Sequence, residues 1–458
     1  MPRGAAWLPR DVDAGDDASS RRVLLLTASY PPRTEVGAAR WEGFTPFLVD
    51  AGWGLDVVIE APTDAIAQDW TRLSRLPTDV RVLGTAHRRP WWHQAIIRAR
   101  APFKRNGTGS DGQAESYSYV ASSPTLRTGL REAIGAAVHA WQARQGVVDL
   151  TEVTSALLDE RHRVIISSGP PHFTHIAASH VARRRRVPHV IDLRDPWGRS
   201  DTVSWLERLL PDRELSQHET STLTNAALII TNTAAAERVL VDRFPALQAR
   251  VRCMPNGSDV EPIDGATLTR PTRFQIAHCG SLYLDRDPRP FLRAVGHVRA
   301  RLGLGADEMS VVFMGPPARV AGRSLTELAA DAGLDGIFEE RQPGTRDEAR
   351  QLLRESTMAV AFQGETRTQV PAKVFEYVAF PVWLLALVGS ESATADMVAD
   401  SDAIVLDIDD EAGTAKAIES CYQQFRAGVS PRPVGHDGRF SRARQAERLL
   451  AELRTLGR

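Results

Sequence analysis

Lysine is almost absent from this 458-residue chain: Lys104, Lys373 and Lys416 stand against 53 arginines. With so strong an arginine bias, a lysine inside a motif is informative, because an ammonium is a compact point charge and a guanidinium a planar fork. Net charge is lacking as well, at −1, which excludes a nucleic-acid binder that works by bulk charge. The basic run Arg183–Arg186 reads as the solvated end of a helix. Cysteine is scarce: Cys253, Cys279 and Cys421 are odd in number and far apart, without metal-ligand spacing. A reduced, cytoplasmic protein without structural disulfides is expected. No apolar run reaches the length of a membrane span. Met1–Ser20 lacks an apolar signal core and is rich in Asp, Gly, Ala and Ser, so a disordered lead-in is expected over 1–20 rather than a targeting peptide. There is no Gly-x-Ser-x-Gly elbow, Walker motif or His-Glu-x-x-His.

What is present is alternation. Apolar strand-length runs recur at Arg22–Ala28, Leu55–Glu60, Val80–Gly84, Arg163–Ser168, His189–Leu193, Ala227–Thr231 and Val251–Pro255. A second set follows at Phe274–Gly280, Ser310–Gly315, Ile337–Gln342, Met358–Gln363, Trp383–Val388 and Ala403–Ile408. Continuous apolar strands separated by helical segments mean parallel sheets buried on both faces. The fold class is therefore α/β, with two doubly wound, Rossmann-like domains over 21–262 and 263–439. The Pro- and Gly-bearing stretch Glu261–Thr272 forms their boundary. Arg439–Leu456 carries Ala443, Ala446, Leu449, Leu450 and Leu453 at helical spacing. The stretch His87–Glu160 breaks the pattern, and a mobile loop is expected at Arg100–Ser123. Ahead of it, Pro90–Arg100 is apolar, aromatic and basic at once. It reads either as a surface for a membrane or lipid-linked acceptor, or as a helix burying Trp and Ile, and its shortness favours the helix.

Polar clusters gather at strand ends, where open α/β sheets bind ligands. Gly280-Ser-Leu-Tyr-Leu-Asp-Arg286 is a strand, a Gly turn and a basic residue ahead of a helix, an arrangement that holds phosphate. Val370-Pro-Ala-Lys373-Val-Phe-Glu376-Tyr377 places a carboxylate near a helix start, where it could accept a sugar or ribose hydroxyl. In the first half, Gly37 and Arg40 follow the first strand. His172 lies in Ser167-Ser-Gly-Pro-Pro-His172, and Asp192-Leu-Arg194-Asp195-Pro-Trp197 follows the next strand. Each alone has a bland reading as a loop or a helix cap; three at successive strand ends are harder to dismiss. Asp285-Arg-Asp287 leads into Pro288 and reads as a helix cap rather than a metal site. Asp407–Asp410 has no companion ligands, so no metal is expected.

These motifs, in this order, resemble the family 4 retaining glycosyltransferases of the two-Rossmann GT-B fold. The resemblance runs from Arg21 to the end. It is carried by Tyr30-Pro-Pro with Gly37 and Arg40, by the His172 and Asp192–Trp197 motifs, by Pro255-Asn256-Gly-Ser-Asp259, and by the Gly280 and Glu376 stretches. The two strand-end motifs of the first half are similar to those of the subgroup acting on exopolysaccharides and natural products. The resemblance implies two domains facing across a cleft, with a crossing helix over 440–458 packing back on the first. It also implies that Gly280 and Arg286 hold a donor diphosphate and that Glu376 binds the ribose. Ser281 stands where the family has a second basic residue, and Thr368 where it has a Glu for donor-sugar hydroxyls. Phe380-Pro-Val-Trp383 replaces the usual Ala-Gly-x-Pro turn.

The implied reaction is transfer with retention from a UDP- or GDP-linked sugar to a glycan, lipid-linked or natural-product acceptor. Arg286, helix N-terminal amides and Lys373 would stabilise the leaving diphosphate without metal or cofactor, and His172 would orient a sugar hydroxyl. Arg40, Asp192, Arg194, Asp195 and Asn256 are further cleft candidates. A cytoplasmic protein, in peripheral contact with the inner membrane face, would fit such acceptors. Two alternatives remain: a nucleotide-sugar 2-epimerase, which would need more acid/base groups, and a non-catalytic nucleotide-sugar-binding accessory, which Thr368 and Trp383 make credible.

Overall fold

The computed structural model describes residues 5–8, 21–35, 37–62, 68–85, 126–197, 213–282, 286–364 and 366–456, the side chains of 126–140, 142 and 213–217 excepted. The segment Pro90–Arg100, the loop Arg100–Ser123 and Asp285 lie outside the described residues.

Two sheets account for the two sets of apolar runs. The first contains β1 (Ala5–Trp7), β2 (Arg22–Thr27), β3 (Gly54–Glu60), β4 (Val80–Thr85), β5 (His162–Gly169), β6 (His189–Leu193), β7 (Leu228–Thr231) and β8 (Val251–Cys253). Their order across the sheet is β1-β4-β3-β2-β5-β6-β7-β8, parallel apart from β1. The second contains β9 (Phe274–Cys279), β10 (Met309–Met314), β13 (Phe338–Arg341), β14 (Met358–Phe362), β15 (Trp383–Leu387) and β16 (Ile404–Leu406), in the order β13-β10-β9-β14-β15-β16 and all parallel. Between β10 and β13, β11 (Arg319–Val320) and β12 (Arg323–Ser324) make a small antiparallel hairpin. All six residues of β2 and all six of β9 are buried. Helices cover both faces of each sheet, so the strands read as unbroken apolar runs rather than alternating ones.

The lead-in expected over 1–20 departs from that expectation at Ala5–Trp7. Those residues pair antiparallel with β4, Ala5 opposite Thr85 and Trp7 opposite Leu83. They cover what would be an open sheet edge, and the Trp7 ring lies 5.1 Å from the Arg81 guanidinium.

The helix Arg442–Leu456 is the second crossing between the halves. Ala446, Leu449, Leu450 and Leu453 are buried with Trp41, Phe44 and Leu48 in the core of the first sheet. Each buried leucine is worth about 1.5–3 kcal/mol, enough to hold the helix on the first domain. Where the two crossings meet they pair backbone to backbone: Ser258 N donates to Phe440 O at 2.6 Å and Arg442 N to Ser258 O at 2.7 Å. Phe380 and Trp383, at the place of the altered turn, are core residues. Phe380 is fully buried, and Trp383 opens β15 with its ring 6.2 Å from that of Phe274.

Candidate functional site

Each sheet has a point where strand order reverses, and a crevice forms there because neighbouring connections leave in opposite directions. In the first sheet the chain runs outward from β2 through β3 to β4, then returns to place β5 on the other side of β2. In the second, β9 leads to β10 and β13, and β14 returns beside β9. The loops beyond these strand ends face each other across a cleft of about 790 Å³. Ser29, Glu35 and Gly37 come from the loop after β2 and Pro170 from that after β5; Gly280 and Arg286 follow β9, and Gln363, Thr366 and Gln369 end or follow β14. The volume lies in the usual range for small-molecule sites.

On the second-domain wall, Gly280 has φ 108° and a Cβ there would lie 3.1 Å from Lys373 Nζ. A side chain at Gly315 would strike the carbonyl of Gly280. Two glycines thus let the turn and the lysine approach each other. Lys373 Nζ is 3.0 Å from His278 Nε2 and 3.4 Å from Ser281 O. Burial, and the nearby Arg286 charge, pull the Lys373 ammonium down from its usual range to about 7. Glu376, one helical turn on, lines the cleft and is engaged by Arg350, whose Nε lies 3.2 Å from Oε2. The carboxylate of Asp287 is taken by Arg289, with Nε at 2.8 Å from Oδ2, and Asp287 Oδ1 also accepts from Arg289 N at 2.9 Å. This lies just ahead of the helix Arg289–Leu302, whose N-cap is Pro288 without a side-chain cap bond.

The first-domain wall is built on a buried ion pair. Arg40 Nη2 lies 2.9 Å from Asp192 Oδ1, and Arg40 also donates to Met254 O at 2.9 Å and Asn256 Oδ1 at 3.2 Å. Asp192 accepts from Trp41 Nε1 at 2.8 Å and Ser168 Oγ at 2.7 Å as well. Arg194 lies against Gly37, where any Cβ would collide with its guanidinium, and bonds the carbonyl of Pro170. Asp195 accepts from Gln369 Nε2 at 2.7 Å, a contact between the two domains. Its carboxyl is raised above the usual range by burial, against the opposing effect of Arg194. Arg442, the first residue of the crossing helix, reaches the cleft and pairs with Asp259 at 2.8 Å.

Solved structures of similar shape span nearly the whole chain. The trehalose 6-phosphate synthase of Burkholderia multivorans is 14% identical with a TM-score of 0.56, covering 95% of this chain and 96% of that one. The N-terminal domain of the trehalose-6-phosphate phosphatase of Candida albicans is 13% identical with a TM-score of 0.60, covering 95% and 97%. HepE of Anabaena, in complex with UDP and glucose, is 10% identical with a TM-score of 0.56, covering 95% and 100%. What they share with this chain is the fold. It is the GT-B arrangement of two Rossmann-like domains. No protein-family model matches the chain, and no curated protein matches it in sequence.

Within that fold the structure brings Gly37, Arg40, Arg194, Asp195, Asn256, Gly280, Arg286, Lys373 and Glu376 to one cleft. Four expected site residues are placed otherwise. His172 lies flat against Trp197, ring centroids 5.2 Å apart, and is not among the cleft-lining residues. Burial, and then Arg194, push its imidazole down to about 4, so it is neutral at pH 7. Asp192 sits behind Arg40, fully buried. Ser281 contributes its carbonyl to Lys373. Thr368 turns its carbonyl to Thr233 Oγ1 of the first domain at 2.6 Å.

Glu35, Asn232, Arg346, Arg350, Gln369 and Arg442 also line the cleft and were missed. For Asn232 the strand-end rule was available, since it follows β7 directly. Arg442 has no such signal, because it enters from a helix of the other crossing. Among the described residues no group of three or more His, Cys, Asp or Glu is placed to hold a metal ion, and no helix is long and apolar enough to cross a membrane.

Proposed function

We propose that the protein is a glycosyltransferase of the family 4 type, moving a sugar with retention from a UDP- or GDP-linked donor. The observation that carries this reading is the convergence of Gly280, Arg286, Lys373 and Glu376 at the reversal point of the second sheet. There they face Arg194 and Asp195 across the cleft. The fold neighbour in complex with UDP and glucose supports UDP as the first donor nucleotide to try.

In this reading the diphosphate lies over the Gly280 turn, which its missing side chain leaves open to close approach. Arg286 and Lys373 meet the charge that builds on the leaving phosphate, a task for fixed cations that needs no metal. Glu376 accepts the ribose hydroxyls once they share it with Arg350. The acceptor enters from the first-domain side and attacks on the face the nucleotide leaves. Asp195 stands at that side of the cleft, bonded to Gln369 of the second domain, and the two offer hydrogen bonds to sugar hydroxyls. The acceptor is a glycan, a lipid-linked sugar or a natural product, and the protein works in the cytoplasm or at the inner face of the membrane.

The test is a panel of nucleotide sugars read first by thermal stabilisation, since a ligand that binds only the folded state raises its apparent stability. Donors that stabilise are then assayed for hydrolysis and transfer with EDTA present. The reading expects at least one UDP- or GDP-sugar to stabilise and turn over, and activity to survive EDTA. Activity abolished by EDTA and restored by Mn²⁺ or Mg²⁺ would remove the metal-free mechanism. A second reading, a non-catalytic nucleotide-sugar-binding subunit, is favoured by Thr368, whose carbonyl is tied to Thr233 where the resemblance calls for a carboxylate. Stabilisation without hydrolysis or transfer would select it.

A further inference from the structure

His278 is the fifth residue of β9, 1% exposed and packed between the rings of Phe313 and Phe362 at 5.1 and 5.0 Å. An imidazole in so apolar a place must have its nitrogens satisfied. Its Nδ1 lies 2.9 Å from the carbonyl of Val360. The group 3.0 Å from Nε2 is Lys373 Nζ. A carbonyl only accepts and an ammonium only donates. The arrangement that satisfies Val360 and Lys373 together has the proton on Nδ1 and a lone pair on Nε2, with the Gly280 backbone as the competing partner of the ring. Donation therefore runs one way, from ammonium to imidazole and from imidazole to strand β14.

The groups facing Lys373 leave that acceptor with a clear task. Arg286 is cationic and disfavours the ammonium. Cys279, held up to about 11 by burial, and Tyr377, raised well above its usual range by burial and by Cys279, are both neutral at pH 7. Arg341 acts on Cys279 from β13. Glu376, on the helix of Lys373 itself, is engaged by Arg350. Nζ donates to two neutral acceptors, His278 Nε2 and the more distant Ser281 carbonyl.

We propose that His278 is a positioning residue: its Nε2 lone pair holds the Lys373 ammonium beside the Gly280 turn, where it meets the donor diphosphate. The placing of Lys373 stands on the geometry alone, and only the diphosphate rests on the nucleotide-sugar reading. A hydrogen bond accepted from the charged form favours that form, so losing it lowers the pH at which Lys373 gives up its proton.

The experiment uses the full chain and two substitutions that split the imidazole. In His278→Asn the side-chain amide reaches Val360 but not Lys373. In His278→Gln an oxygen takes the place of Nε2 and the Val360 contact is lost. Lys373 is titrated by competitive acetylation with acetic anhydride across pH, read by peptide mass spectrometry, which three lysines make simple. His278→Asn is expected to lower the Lys373 midpoint by about one to two pH units, and His278→Gln to restore it. UDP affinity by calorimetry should fall more in His278→Asn at pH 8.5 than at pH 6.5. A Lys373 midpoint unmoved by His278→Asn, or lost equally in His278→Gln, would overturn the proposal. The wild-type protein supplies a measurement that needs no variant: ¹⁵N shifts of His278 must show the Nδ1–H tautomer, and the Nε2–H tautomer would also overturn it. Shifted midpoints in a protein that binds neither UDP nor GDP would keep the placing of Lys373 and discard the nucleotide reading instead.

Discussion

At Glu376 and Arg286, substrate binding and stability separate. The Glu376–Arg350 pair is partly open, with side-chain exposures of 27% and 20%, and such pairs contribute about 0–1 kcal/mol to folding. A carboxylate that accepts two ribose hydroxyls is worth on the order of 1–3 kcal/mol to binding. Glu376→Gln should therefore weaken UDP binding by roughly tenfold or more in calorimetry while the melting temperature barely moves. An unchanged affinity would make Glu376 a partner of Arg350 and nothing else. Arg286 has a surface explanation in pairing with Asp287, but Asp287 is held by Arg289, and Arg286 lines the cleft close enough to depress Lys373. Arg286→Ala should lower turnover by about two to three orders of magnitude, measured as donor hydrolysis or transfer. A loss of only a few-fold would move the diphosphate contact to Lys373.

Among the elements, the parallel strands were readable because burial on both faces writes itself as an unbroken apolar run, and each of the thirteen runs became a strand within two residues at either end. Ala5–Trp7 was unreadable for the opposite reason. Three residues at a half-exposed edge carry no periodicity, and their strand exists only because β4 offers a partner. The cleft was readable where a residue follows its strand in sequence, as Gly280 and Asp195 do. It was hidden where packing decides, as with His172. That side chain sits with His175 and His189 beneath the β5 and β6 ends, where Ser167 Oγ bridges His175 Nδ1 at 2.7 Å and His189 Nε2 at 2.8 Å. Burial lowers all three imidazoles, His172 to about 4 and His189 to about 3. In the unfolded chain they titrate near 6.5. As pH falls below that value the unfolded chain takes up protons that the native state refuses, so each histidine costs about 1.4 kcal/mol of stability per pH unit. The loss continues until the folded-state values are reached; above pH 6.5 these groups add no pH dependence. Urea midpoints should fall steeply from pH 6.5 to pH 5, and His189→Gln should have a shallower slope. A flat wild-type profile over that range would place the three imidazoles in contact with water.

Across the whole molecule, two domains joined by two crossings are free to open unless contacts over the cleft hold them. Two kinds of contact compete for that role. Gln369 donates to the half-buried Asp195 carboxylate, and a hydrogen bond to a charged group is worth about 1.5–3 kcal/mol. Arg238 pairs with Asp396 near the same edge, but their side chains are 62% and 41% exposed, and an exposed pair contributes about 0–1 kcal/mol. The magnitudes assign the closure to Gln369 and Asp195. Gln369→Ala should give a larger radius of gyration by small-angle scattering in the free protein, and a stabilising nucleotide sugar should bring it back. The same change should raise the donor KM by roughly tenfold or more, because part of the binding energy must then close the cleft. Arg238→Ala should alter neither measurement. A Gln369→Ala protein with the wild-type scattering profile and donor KM would show that closure rests elsewhere, and the Thr233–Thr368 contact would be the next to remove.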